Sequence, residues 1–168
     1  WGAYKQLGTA TGRTGINKLL KPGTYQLRLR ATPQGGKAGP WIEGTPFTVR
    51  TLQENDKSIK FDGSWAKQSS KEALGGAVRE TQRAGDSFTV TTTDATDIGL
   101  VMPAGKGNGV IEVCRDPDAP QPGSCRTIDL SQVSKSPRQV VTALTGLPAG
   151  EHTLKVTVKV GPVALDSI

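Results

Sequence analysis

The 168-residue chain predicts an all-β protein, and three observations carry that expectation. Segments in which apolar and polar residues alternate recur along it, as half-buried strands require. Glycine (21) and proline (11) punctuate the gaps between those segments. Long helix-forming periodic runs are missing: Ser69-Ser-Lys-Glu-Ala-Leu74 is cut off by Gly75-Gly76, so it makes at most one turn of helix. The length allows one or two domains. The stretch Ser58-Ile-Lys-Phe-Asp-Gly-Ser-Trp-Ala-Lys67 marks where one β domain stops and another starts.

Charge divides the chain at the same place. Residues 1–50 hold eight Lys/Arg against one acid, whereas residues 59–168 hold twelve of each. The basic first segment suggests an anionic glycan or wall polymer as partner, or simply a solvated sheet face. Nucleic acid is not expected, because neither interleaved exposed aromatics nor a recognition helix is evident. No apolar run approaches the roughly 20 residues needed to cross a bilayer, so no membrane insertion is expected. The chain starts at Trp1 with no charged-then-apolar leader, which reads as a processed product or a fragment.

Within residues 1–50, Pro22-Gly23 makes a turn. Tyr25, Leu27, Leu29 and Ala31 then alternate with Gln26, Arg28 and Arg30, which places the first set in a core and the second in water. Gln34-Gly-Gly-Lys-Ala-Gly-Pro40 reads as a loop and Thr45-Pro-Phe-Thr-Val-Arg50 as a closing strand. Trp1 and Trp41 are expected to pack in a core or at an edge. A leucine followed by Pro-Gly-x-Tyr resembles the tyrosine corner of immunoglobulin-like sandwiches. The run from Gly23 to Val49 is similar to the last two strands of a fibronectin type III domain. That resemblance implies a domain of about seven strands, of which this segment is only the C-terminal part.

Thr51-Leu-Gln-Glu-Asn-Asp-Lys57 is expected to be a short polar linker, with the boundary at 51–58. Strand candidates follow at 58–62, 76–82, 86–93, 97–102, 108–114, 125–130, 138–144, 151–160 and 162–168, spaced as in a sandwich. The clearest is Glu151 to Val160, where Leu154, Val156, Val158 and Val160 face one way and Thr153, Lys155, Thr157 and Lys159 the other.

Cys114 and Cys125 are the two cysteines. Counting alone leaves open a disulfide or two buried thiols. Strand parity favours the disulfide, since Ile111, Val113, Ile128 and Leu130 take the apolar faces and both cysteines leave on the solvent side. The bridge would close the proline-rich loop 115–124 and would imply an oxidising compartment.

Ile59-x-Phe-Asp-Gly-Ser-Trp65, Gly75-Gly-x-Val78 and Ala84-Gly-Asp-Ser-Phe-Thr-Val90 come in order with Val101-Met-Pro-Ala-Gly-Lys-Gly107, Gly146-Leu-Pro-Ala-Gly-Glu-His152 and Val163-Ala-Leu-Asp-Ser-Ile168. In this order residues 59–168 resemble a jelly-roll, carbohydrate-binding-like domain of secreted, often actinobacterial, proteins, a distant relative of galactose-binding-like sandwiches. The resemblance implies an extracellular module that mediates attachment or presentation, with glycan as the ligand class. The alternative is a purely structural spacer in a surface assembly, filament or toxin particle. No other cofactor is expected beyond a structural calcium. In galactose-binding-like sandwiches an aspartate of the last strand often joins an acid near the first in holding a structural calcium, although the relatives' usual first-strand acidic pair is not evident here. Asp166 stands at that last-strand position, with Glu54, Asp56 or Asp62 as its partner.

No enzyme signature is present. There is no Gly-x-Ser-x-Gly, no His-Glu-x-x-His and no phosphate loop ending in Gly-Lys-Ser/Thr. One histidine excludes a two- or three-histidine metal site within the chain. His152 shares parity with Leu154 and is expected at the core-facing start of a strand. For a glycan platform the candidates are Trp65, as stacking aromatic or packing residue, with Gln68, Arg79 and Lys106 as polar groups.

Overall fold

A computed structural model describes residues 20–118 and 124–168. Trp1 and residues 119–123 of the loop expected at 115–124 lie outside the described residues. The chain divides into two compact units, Trp1–Arg50 and Thr51–Ile168. Among the described residues, no helix is long and apolar enough to cross a membrane.

In the first unit, β1 (Gly23–Tyr25) pairs antiparallel with β4 (Phe47–Val49), and β2 (Arg28–Leu29) with β3 (Ile42–Glu43). The register changes by one residue between Tyr25↔Phe47 and Arg28↔Glu43, so a bulge splits the alternating strand expected over 25–31. Tyr25 behaves as the sequence suggests, its hydroxyl donating to the Lys21 carbonyl at 2.7 Å. Leu27 and Leu29 do not, being 46% and 65% exposed instead of in a core. Among the described residues the ribbons carry no second sheet over them, and a two-stranded ribbon has nothing to bury a face against. Trp41 is half-exposed, and the guanidinium groups of Arg28 and Arg30 lie over its ring at 4.3 and 4.5 Å.

The second unit is the expected β-sandwich. One layer is a five-stranded antiparallel sheet in the order β11-β10-β13-β8-β5. Its strands are β5 (Ile59–Asp62), β8 (Ser87–Thr92), β10 (Val110–Arg115), β11 (Cys125–Asp129) and β13 (His152–Val160). The other layer holds β6 (Ala66–Ser69), β7 (Ala77–Thr81) and β14 (Val163–Leu165), with β9 (Ile98–Ala104) and β12 (Ser136–Leu144). Ser167 joins these two groups by bridging Val101 on one side and Gln53 on the other.

The period-two pattern decides which side chains meet between the layers. Phe88 and Val90, Ile111 and Val113, and Leu154, Val156 and Val158 point inward from the first sheet against Leu100, Met102, Val163 and Leu165. Each such fully buried side chain contributes about 1.5–3 kcal/mol. Val160, expected to continue the inward row of β13, is 55% exposed, because the β10 ladder shifts register opposite it.

Three further features depart from expectation. Residues 51–58 are built into the second unit instead of linking to it: Leu52 and Ile168 exchange backbone hydrogen bonds of 2.8 and 2.9 Å, and Glu54 is 2% exposed. Strand β6 was not expected, since Ala66, Lys67, Gln68 and Ser69 are all exposed and show no apolar alternation. The strand expected to reach Leu130 stops at Asp129, whose carboxylate accepts from Ser131 N and starts a 3₁₀ turn over Leu130–Gln132.

The disulfide is present. Cys114 and Cys125 stand directly opposite one another on β10 and β11, with Cα atoms 4.0 Å apart. Ile111 and Val113 are buried and Cys125 is exposed, as parity requires. A double Cys114→Ala/Cys125→Ala variant is expected to lose about 3 kcal/mol in urea denaturation, from freeing a loop of this length. Equal midpoints for oxidised wild type and variant would reject a stabilising role.

Candidate functional site

The turn after β5 has the most specific local chemistry. Gly63 sits at φ +96°, and a Cβ added there would fall 2.1 Å from Asp86 Oδ1, so only glycine fits. Asp86 Oδ2 accepts from Ser64 N at 2.9 Å and from the Thr81 hydroxyl at 2.5 Å. The Thr81 hydroxyl bond holds the Asp86 carboxyl below the usual range against the opposing effect of burial, with Ser64 N–H and Arg83 adding to it.

This knot seats Trp65. The indole is 8% exposed, lies 5.2 Å from the Phe61 ring and 5.8 Å from Phe88, and donates Nε1–H to the Asp62 carbonyl at 3.1 Å. Trp65 is therefore part of the core and offers no open face for sugar stacking. Its candidacy as a platform is corrected on that ground.

The other polar candidates do not converge either. In the β6–β7 ladder Gln68 stands opposite Val78 and Lys67 opposite Arg79, so Gln68 and Arg79 lie on opposite faces. Lys106 is exposed on the Gly105–Gly107 turn. Gln68 lines a cleft of about 320 Å³ with Glu72, Glu80 and Asn108, on a floor that includes Pro103, Pro137 and Pro162.

Arg79 lines a different cleft, of about 360 Å³, whose other wall is the segment 54–61. Here the half-buried Phe61 ring has the Arg79 guanidinium 5.5 Å above it. Arg79 Nη1 donates to the Trp65 carbonyl at 3.4 Å, and its Nε is buried without a partner. Asn55, Asp56, Lys57 and Lys60 add amide, carboxylate and ammonium groups. Asp56 Oδ1 accepts from Ser58 N and then from its hydroxyl, which keeps this carboxyl low and charged. An aromatic wall beside a guanidinium and short polar side chains suits a polyhydroxylated ring: C–H groups against Phe61, hydroxyls toward the polar atoms.

Behind that cleft lies a cluster of buried oxygens. Asp166 is fully buried and both its oxygens accept from Leu74 N, at 2.9 and 3.2 Å. The next residue, Gly75, packs so closely that a Cβ would sit 2.3 Å from Gln53 Oε1 and 3.4 Å from Glu54 Oε2. Gln53 Oε1 is buried without a hydrogen-bond partner. Burial raises the Asp166 carboxyl above its ordinary value; the Glu54 charge raises it further, against the Leu74 bond and Arg138. Glu54 Oε1 has Lys67 Nζ at 3.8 Å.

Among the described residues no three His, Cys, Asp or Glu side chains form a metal set. Two buried carboxylates and one orphaned amide oxygen are nonetheless the hard-oxygen donors calcium takes, with backbone carbonyls or water completing the shell. Asp166, Glu54 and Gln53 are the residues that would hold such an ion. Asp62, paired with Asp166 on sequence grounds, instead stands exposed at the end of β5 opposite Ser87. Gln53 was missed altogether, because only the fold shows that its amide oxygen is buried.

No family profile and no curated protein sequence matches the chain. Among solved structures, a CBM35 from Cellvibrio japonicus has a TM-score of 0.50 and 15% identity, covering 70% of this chain and 88% of that one. A family two carbohydrate esterase from Cellvibrio japonicus has a TM-score of 0.51 and 21% identity, covering 70% and 32%. An exo-beta-1,3-galactanase from Phanerochaete chrysosporium has a TM-score of 0.51 and 14% identity, covering 73% and 30%. The chain thus spans about a third of the esterase and of the galactanase. At these identities the likeness shows the fold: the chain contains a jelly-roll β-sandwich like that of the CBM35.

Proposed function

We propose that residues 51–168 form a non-catalytic carbohydrate-binding module of a larger secreted protein. The observation that carries this is a sandwich similar to a CBM35 over most of that module's length. The cleft between segment 54–61 and Arg79 supports it and is the binding site in this reading, with Phe61 as the stacking ring and Arg79 as the principal hydroxyl donor. The disulfide suits an oxidising, extracellular compartment. The Tyr25–Lys21 bond suits a fibronectin type III origin for the first unit. A structural calcium on Asp166, Glu54 and Gln53 completes the proposal; its chemistry there is to neutralise two buried carboxylates and fix segment 52–54 to the last strand.

The test is affinity electrophoresis of the full chain in gels containing soluble wall polysaccharides. Wild type is expected to be retarded by at least one, and Arg79→Gln to bind it tenfold or more weakly, about 1.4 kcal/mol. Absence of retardation across neutral and acidic polysaccharides would favour the structural-spacer reading instead.

A further inference from the structure

The chain has one histidine, and its ring has oxygen acceptors at both ends. His152 is 8% exposed at the start of β13. Its Nδ1 lies 3.0 Å from Asp116 Oδ2, and its Nε2 lies 2.9 Å from the Pro148 carbonyl. A carbonyl accepts only, and so does an ionised carboxylate. Both ring nitrogens must therefore carry protons for this geometry to be satisfied, which makes the ring an imidazolium.

The two contacts are unequal. Asp116, on the residue after β10, is held independently of the ring: its N–H donates to the Thr153 carbonyl at 2.7 Å, and its Oδ1 accepts Thr153 N at 2.8 Å. Its backbone takes φ +46°, where aspartate is tolerated better than most residues. Arg115 Nε stands 3.8 Å from Asp116 Oδ2. Pro148 belongs to the β12–β13 turn, between Gly146 at φ +66° and Gly150 at φ +140°. That turn is pinned on its near side, where Leu147 is buried and donates to the Thr96 carbonyl, and Gly146 N meets Asp97 Oδ1. Beyond Leu147, the His152 ring is what the Pro148 carbonyl meets.

We propose that His152 is a proton-operated latch on the β12–β13 turn. Doubly protonated, it fastens the Pro148 carbonyl to the end of the sandwich. A ring that loses one proton keeps the Nδ1–H that faces the carboxylate and gives up Nε2–H, so a lone pair then faces the carbonyl. The two repel, and the segment from Pro148 to Glu151 swings free about Gly150 while Asp116 keeps the ring seated.

The surrounding charges agree in sign. The hydrogen bond to Asp116 comes first in holding the imidazolium, then the bond to Pro148 and the Asp116 charge; burial and Arg115 oppose them. Strand β8 presents Thr92, uncharged, as the register partner, and Glu151 beside the ring in sequence is exposed. With a folded value raised above 6.5, the stabilisation is complete below pH 6.5 and is lost as pH rises through the folded value.

A single histidine gives one unambiguous imidazole signal in long-range ¹H–¹⁵N spectra of the full chain. The expected result is a titration midpoint above 6.5, two protonated nitrogens below it, and loss of the Nε2 proton above it. The heteronuclear NOEs of Ala149, Gly150 and Glu151 should fall across the same midpoint, while those of Asp116 and Thr153 stay constant. Asp116→Asn should bring the midpoint down toward 6.5, and the wild-type titration stands alone if that variant does not fold. A midpoint at or below 6.5, loss of Nδ1–H in place of Nε2–H, or a turn equally ordered on both sides of the midpoint would overturn the latch.

Discussion

Trp65→Ala is expected to lose about 3–5 kcal/mol of stability, the range for removing a buried large aromatic side chain. The indole contacts Phe61 and Phe88, and its Nε1–H satisfies the Asp62 carbonyl, so the substitution leaves both a void and an orphaned acceptor. For a domain whose whole stability is about 5–15 kcal/mol, that is a large fraction. Trp65→Phe should be milder, keeping most of the ring contacts and losing only the hydrogen bond. Guanidinium unfolding followed by far-ultraviolet circular dichroism measures both. The informative reverse outcome is a Trp65→Ala protein with an unchanged midpoint and abolished polysaccharide retention, which would restore the tryptophan as a binding platform.

Calcium should raise the melting temperature of the wild-type chain, and Asp166→Asn should abolish that response. An ion present at a hundred times its Kd adds about 2.7 kcal/mol by mass action. In chelator the same substitution should have the opposite sign. Asp166 is fully buried and feels the Glu54 charge, so neutralising it removes a desolvation cost and a repulsion.

The pH dependence follows from the direction of the shift. A carboxyl raised above 3.8 by burial contributes stability at low pH that is lost as pH climbs through the folded value. Asp56, Asp86 and Asp116, whose carboxyls are lowered, contribute stability above 3.8 that is lost as pH falls through their folded values. The difference between wild type and Asp166→Asn in chelator isolates the Asp166 part, which should grow with pH. A melting temperature indifferent to calcium and chelator in the wild type would remove the ion from the proposal.

The sandwich was legible because its evidence is local. Leu154, Val156 and Val158 alternate with Thr153, Lys155 and Thr157, and that period fixes both a strand and its buried face. The cysteine pair followed from the same parity, read on two strands at once. Strand β6 was illegible for the complementary reason: an edge strand with four exposed residues has no apolar face to announce it. Leu27 and Leu29 show the limit from the other side, since alternation states which residues share a face and not whether anything covers it.

The candidate site was legible only in part. Asp166 came from its position in the last strand, and Arg79 from its polarity. Their neighbours Gln53, Glu54 and Phe61 are brought in by pairings that span most of the second unit, such as Gln53 with Ser167. Separation of that kind leaves no periodic trace. Asp62 looked equivalent to Glu54 in sequence, and only the fold shows that Glu54 is buried while Asp62 is exposed at the end of β5.

The exchange of hydrogen bonds between Leu52 and Ile168 has a mechanical consequence. These residues are antiparallel neighbours, so the path into the unit and the path out of it lie side by side at one end. Tension applied through both would not shear the core strands along their length; it would open this pair first, one bond at a time, like a zipper. The unit would therefore open from this end, where the two paths meet. Under load it should surrender Leu52, Gln53 and the last strand before the five-stranded sheet feels any force, and with them the Glu54–Asp166 oxygen cluster.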